Sequence, residues 1–278
     1  MAPKKRPGGL SLGLAMESDI KKQIEENYMI YKGLLEPQKI EEFNLIERKL
    51  KPSICNNVIG KGDKKSIKEC IDENPEKKLN VTYVVGSDNE EIMRHIILLQ
   101  IYYKNGGLSL GFKIPLVYLK FNENIEYYMD YIKIEDPESK KLGKFHYTDN
   151  PNILVNIGKI LGLYANIQNE LIYDFEIYKD ENDKMYTLLD FGEIINLKQE
   201  PPNQQSRYKY TKEIYDGILE TYTNKEKIKS YIVLQEKQTK DEYLEALGIL
   251  RAKQKYLKYK RKYLKLKQQL KNKRLYNI

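Results

Sequence analysis

Residues 173–194 read YDFEIYKDENDKMYTLLDFGEI. Two stretches rich in β-branched and aromatic residues flank the polar run 180–183, DEND, which is the pattern of a β-hairpin with a polar turn. Leu188, Leu189 and Phe191 lie nearly side by side, as in a strand covered on both faces. The hairpin also carries acids. Asp174 and Glu176 are two apart and share a strand face, and Asp190 follows the Leu pair. Oxygen ligands of this kind suit magnesium. The plainer alternatives are that Asp190 caps a turn and Glu176 faces solvent.

Upstream, ESDIKKQIEENYMIYKGLL places Ile20, Ile24, Tyr28 and Tyr31 at helical spacing behind a Ser18 cap, and the preceding residues through Glu17 read as a disordered tail. Pro37 opens a second helix and Pro52 closes it. Two β-leaning segments then surround Gly60 and Gly62, KLNVTYVVG reads as a strand, and NEEIMRHIILLQIYYKNGG as an apolar helix stopped by a Gly pair. Glu90 and Glu91 fit the first turn of that helix, where acids complement the dipole. Residues 114–132 form a hairpin about a polar NEN. A breaker-rich connector with Pro137, Gly143 and Pro151 leads to a helix bearing Ile153, Ile157, Ile160, Leu161 and Tyr164 on one face. After the second hairpin, one helix is expected near Thr211 to Leu234 and another from about Asp241 almost to the end. The hexapeptide GGLSLG occurs at 8–13 and again at 106–111, with unrelated surroundings.

This order of elements resembles the protein-kinase fold over roughly residues 54–196. VIGKGDKKSIKEC is similar to a glycine-rich loop region, VTYVV to the third strand, IPLVYLKFNENIEYYMDYI to the fourth and fifth strands, and YKDENDKMYTLLDFGEI to the strand pair bearing the metal-binding Asp. LIYDFEIY followed by LLDFGEI also resembles kinase-related domains of large nucleocytoplasmic DNA viruses and some fungal proteins. The resemblance implies an α+β, kinase-like two-lobe fold: a small antiparallel sheet plus helix, then a reduced helical second lobe. The divisions are 1–17, tail; 18–53, N-terminal helices; 54–135, first lobe; 136–239, reduced second lobe; and 240–278, a basic helix. It further implies ATP and Mg as ligands, Asp190 and Glu176 as metal ligands, Gly60 and Gly62 as phosphate-loop residues, and Asp190 or Asp174 as the candidates for a catalytic role.

The motifs depart from the kinase pattern. Gly86 stands where the third-strand lysine belongs, Leu171 falls on the catalytic Asp position, and GKGDKK lacks the third glycine of the loop. Poor phosphate affinity and a catalytically inactive regulatory or scaffold protein are the leading expectation. Two alternatives stand beside it: an active atypical phosphotransferase using Asp190 and Glu176, and a basic structural or virion-associated protein binding nucleic acid non-specifically.

The formal net charge of the 278-residue chain is +8. Residues 251–278 hold twelve Lys and Arg and no acid, and removing those twelve leaves −4 for the rest. Ile249, Tyr256, Tyr263 and Leu270 recur every seven residues in this tail. Such Tyr-Leu-Lys endings are similar to those of many proteins of large DNA viruses. Three readings are open: packing on the acidic body, a coiled coil with a protein partner, or binding of a polyanion. No run of about 18 apolar residues predicts a transmembrane segment. Cys55 and Cys70 read as two buried thiols in a reducing compartment. With His95 and His146 they match no zinc-site spacing. The expected location is intracellular, in host cytoplasm or virion if the protein is viral.

Overall fold

The computed structural model describes residues 9–61, 65–71, 78–133, 150–180, 185–201, 208–234, 259, 260 and 263. The fold is mixed α+β. Helices α1 (Gly9–Lys32) and α2 (Pro37–Lys49) come first, followed by strands β1 (Asn57–Lys61), β2 (Ser66–Ile71) and β3 (Lys78–Val85), then helix α3 (Asn89–Lys104). Strand β4 (Phe112–Lys113) and the hairpin β5 (Val117–Phe121) and β6 (Ile125–Asp130) lead to α4 (Pro151–Gln168), β7 (Glu170–Lys179) and β8 (Tyr186–Asn196). Strand β9 (Tyr208–Tyr210), helices α5 (Lys212–Thr221) and α6 (Lys225–Tyr231), and strand β10 (Ile232–Leu234) complete the described elements.

Strands β1, β2, β3, β6 and β5 form one antiparallel sheet in that order, while β7 pairs antiparallel with β8, which takes β4 as a parallel neighbour on its other edge. Lys113 Nζ reaches the buried Asp180 carboxylate at 2.6 Å, tying β4 to the end of β7. Helix α3 lies between the sheets. It is buried on nearly every side, with Ile92, Ile96, Leu98, Leu99 and Tyr102 in the core, and it packs against α1, α4 and β8.

The outer edge of β5 is closed by side chains. Alternate N–H groups of an edge strand point away from the sheet and need partners. The Leu119 N–H donates to Tyr28 Oη at 2.9 Å and the Val117 N–H to Tyr31 Oη at 3.4 Å. Tyr28 in turn donates to Glu47, which pairs with Lys32 at 2.8 Å. The spacing of Ile24, Tyr28 and Tyr31, legible as an amphipathic helix, thus serves to cap a strand far away in sequence.

Several expectations need correction. Helix α1 begins at Gly9, so Ser18 lies within it rather than at its start; the Leu and Ala between Gly9 and Glu17 favour helix despite the glycines. The single helix expected over 211–234 is two. Asn224 accepts from the Lys227 N–H and starts α6 afresh, and the β-branched Ile232 and Val233 leave the helix to pair in parallel with β9. Leu189 is only half-buried and lines a pocket, whereas Leu188 and Phe191 are buried, so β8 is not covered throughout. Cys55 and Cys70 are joined in a disulfide rather than being free thiols, because β1 and β2 pair antiparallel with Asn57 opposite Glu69 and bring the two sulfurs together. The connector at 134–149, residues 1–8, and the basic helix at 240–278 apart from Tyr259, Lys260 and Tyr263 lie outside the described residues. Those three are helical and exposed. Among the described residues no helix is long and apolar enough to cross a membrane.

Candidate functional site

A pocket of roughly 290 Å³ lies between the five-stranded sheet, α3 and the β7–β8 pair. Ile67, Val84, Met129 and Leu189 supply apolar walls, and Lys65, Glu91, Glu176 and Asp190 supply charge. The lysine sits just before β2. With Ile67 facing the pocket, the two-residue strand period carries Lys65 to the same face. Its Nζ lies 2.5 Å from Glu91 Oε1 and 3.9 Å from Asp190 Oδ1.

Each partner is fixed by its own element. Asp88 caps α3 by accepting from the Glu91 N–H at 2.7 Å, which sets the first turn of the helix and aims Glu91 at Lys65. Asp190 has φ of +58°, a left-handed backbone uncommon for any residue other than glycine. Neighbours hold that turn. Arg94 Nη1 donates to the carbonyls of Phe191 at 2.8 Å and Gly192 at 3.0 Å, and Phe191 packs edge-on against His95 with ring centroids 4.9 Å apart.

His95 is a structural residue. Its Nε2 lies 3.0 Å from the Pro115 carbonyl, which can only accept, so Nε2 carries the proton. Nδ1 then accepts from Tyr127 Oη at 2.6 Å. Burial pushes the imidazole pKa down to about 3, so the ring is neutral at pH 7. The Tyr127 hydroxyl is pushed well up by burial, with the Glu91 and Asp190 charges adding to it. Tyr178 donates to Glu176 Oε2, and its own titration is raised by burial, then by that carboxylate and by Asp190.

Of the residues singled out in sequence, Asp190, Glu176 and Gly60 all line this pocket. Asp174 lies in β7 with Glu193 as its register partner, and Gly62 is outside the described residues. Lys65, Glu91 and Arg94 were not recognised as site residues. Gly86 contributes no side chain, and the cation arrives from the neighbouring strand. A signal was present: Lys65, Ile67 and Glu69 alternate through β2. Choosing Lys65 from the run of lysines at 61–68 required the register with β3, which puts Ile67 opposite Val84.

Three carboxylates and one ammonium therefore face a partly apolar pocket. The lysine can meet a phosphate oxygen, Glu176 and Asp190 offer oxygen ligands to a hard divalent cation, and the apolar walls can cover a flat ring. Leu171 is buried and carries no group that could accept a proton. Comparison with known protein families and with curated proteins finds no match for the chain.

Proposed function

We propose that the protein is a kinase-like regulatory or scaffold protein whose pocket binds a magnesium-complexed nucleotide without transferring phosphate efficiently. The observation that carries this reading is the contact of Lys65 with both Glu91 and Asp190. Phosphate binding in kinase-like sites needs a lysine paired to the helix glutamate and an Asp for the metal. Here the lysine comes from the start of β2 instead of from β3, which removes the main reason to expect weak phosphate affinity. Glu176 is the second metal ligand, Gly60 lies beside the phosphates, and the basic tail is an interaction arm. A base to activate an acceptor hydroxyl is not supplied by Leu171, and this favours binding over turnover.

Millimolar ATP with Mg²⁺ should raise the melting temperature by several degrees, since a ligand that binds only the folded state stabilises by RT ln(1 + [L]/Kd). Lys65→Met and Asp190→Ala should each abolish the shift, measured against each variant's own ligand-free melting temperature; Lys65→Met lowers that baseline because it leaves the buried Glu91 without its partner. No shift with any nucleoside triphosphate and Mg²⁺ would refute the binding reading. Rapid transfer of labelled phosphate to a generic acceptor would replace it with an active phosphotransferase.

A further inference from the structure

The Cys55–Cys70 disulfide closes the open end of the β1–β2 hairpin, and both sulfurs are buried. That hairpin bears Gly60 and leads into β2 from Lys65, both on the wall of the pocket. Its ladders are irregular. The β1–β2 register shifts between Val58 and Gly60, and the β2–β3 register shifts between Glu69 and Ile71, across Cys70 itself. Strand β1 is also the outermost strand of the sheet, with β2 its one neighbour there and Val58 and Ile59 exposed. Few backbone bonds thus hold β1 in place. A slip of one residue turns every side chain to the opposite face; at this end the covalent bond opposes it together with a side-chain hydrogen bond from Asn57 Nδ2 to Glu69 Oε2 at 3.3 Å.

We propose that this disulfide is a redox clamp on the nucleotide pocket: oxidised, it fixes β1 over β2 and keeps the hairpin and Lys65 in register for phosphate; reduced, it frees the edge strand and weakens binding. The inference rests on the nucleotide reading above. Reduction needs two equivalents of a thiol, or one dithiol, as reductant. The S–S bond breaks, two electrons and two protons yield two S–H groups, and the reductant leaves as its own disulfide. Because both sulfurs are buried, attack requires local opening of β1, an edge strand of its sheet. Helix α3 and its Glu91 do not depend on the bridge, so the fold persists while the hairpin loosens.

The test compares full-length protein, oxidised and after reduction by a dithiol, with the double variant Cys55→Ala/Cys70→Ala. Titration with Mg-ATP measures affinity, and amide hydrogen exchange of residues 57–61 and 66–71 follows the hairpin. Reduction should weaken Mg-ATP binding roughly tenfold, about 1.4 kcal/mol, and speed exchange in β1 but not in α3. Reoxidation should reverse both changes. The double variant should match the reduced protein and ignore reductant. Equal affinity in both redox states, or equal β1 exchange, overturns the clamp, as does finding two free thiols in protein prepared under oxidising conditions. If neither state binds nucleotide but β1 exchange responds to reduction, the nucleotide reading fails and the conformational clamp stands without that ligand.

Discussion

Asp130 shows how a single half-buried carboxylate can govern stability. It ends β6, and its carboxylate accepts from the Leu116 N–H and from Tyr118 Oη, each at 2.9 Å. Burial nevertheless outweighs those hydrogen bonds and raises its pKa from 3.8 to about 6. The folded state therefore holds a proton that the unfolded state releases between these values. Its contribution to stability is fully present below about pH 4 and is lost as pH rises through about 6, a change of about 3 kcal/mol by linkage. Asp130→Asn removes the titration. Urea unfolding at several pH values should show the parent losing stability relative to Asp130→Asn between pH 4 and 6.5. A difference that stays constant across this window would mean that the carboxyl titrates normally. His95 acts in the opposite sense: burial lowers its pKa from 6.5 to about 3 in the folded state, so the unfolded state binds the proton first and this contribution to stability is lost as pH falls below about 6.5, in the parent and in Asp130→Asn alike.

Among elements, the closest approach is between α4 and α5. A methyl built on Gly158 would lie 2.1 Å from the Ile214 carbonyl oxygen, and one on Gly217 would lie 2.1 Å from that of Val155. Both clashes are with backbone, which cannot swing aside as a side chain does. These two glycines let the helices cross nearly in contact, and Thr221 Oγ1 adds a bond to the Lys159 carbonyl at 2.9 Å. Gly158→Ala gains a little helix propensity, up to about 1 kcal/mol. It must also separate the helices, at a cost of about 1–3 kcal/mol or more. The net effect of Gly158→Ala, and of Gly217→Ala, should be a lowered urea midpoint. An unchanged or raised midpoint in both would show that the helices are not packed at this spacing.

For the whole molecule the question is what the basic tail does. The charge imbalance between residues 251–278 and the rest predicts that removing the tail abolishes binding to polyanions. If about half of its twelve basic groups face a duplex, log K should fall with log salt at a slope of about −5, taking roughly −0.9 per contact. Shuffled DNA sequences should bind alike. Filter binding at several salt concentrations, with full-length and truncated protein, measures this. Absence of binding at low salt, together with a melting temperature many degrees lower after truncation, would instead assign the tail to the acidic body.

Most elements were legible in the sequence because their signals are local. Pro37 opens α2, α3 ends just before the Gly106–Gly107 pair, a polar NEN turns the β5–β6 hairpin, and the acids Asp190 and Glu176 fall on the two strands where the periodicity put them. Local sequence does not suffice where a fragment's state depends on its partners. GLSLG begins a helix at Gly9, yet the same five residues at 107–111 make a 3₁₀ turn between left-handed Gly106 and Gly111. The pairing of Cys55 with Cys70, the capping of β5 by Tyr28 and Tyr31, and the arrival of Lys65 beside Glu91 and Asp190 join residues many positions apart. Each is set by strand register and helix packing rather than by neighbours along the chain. The sequence by itself therefore determined most of the elements and placed Asp190 and Glu176 on their strands; only the tertiary structure decided which lysine meets Asp190 and Glu91, because that choice is made by the register of one strand against the next.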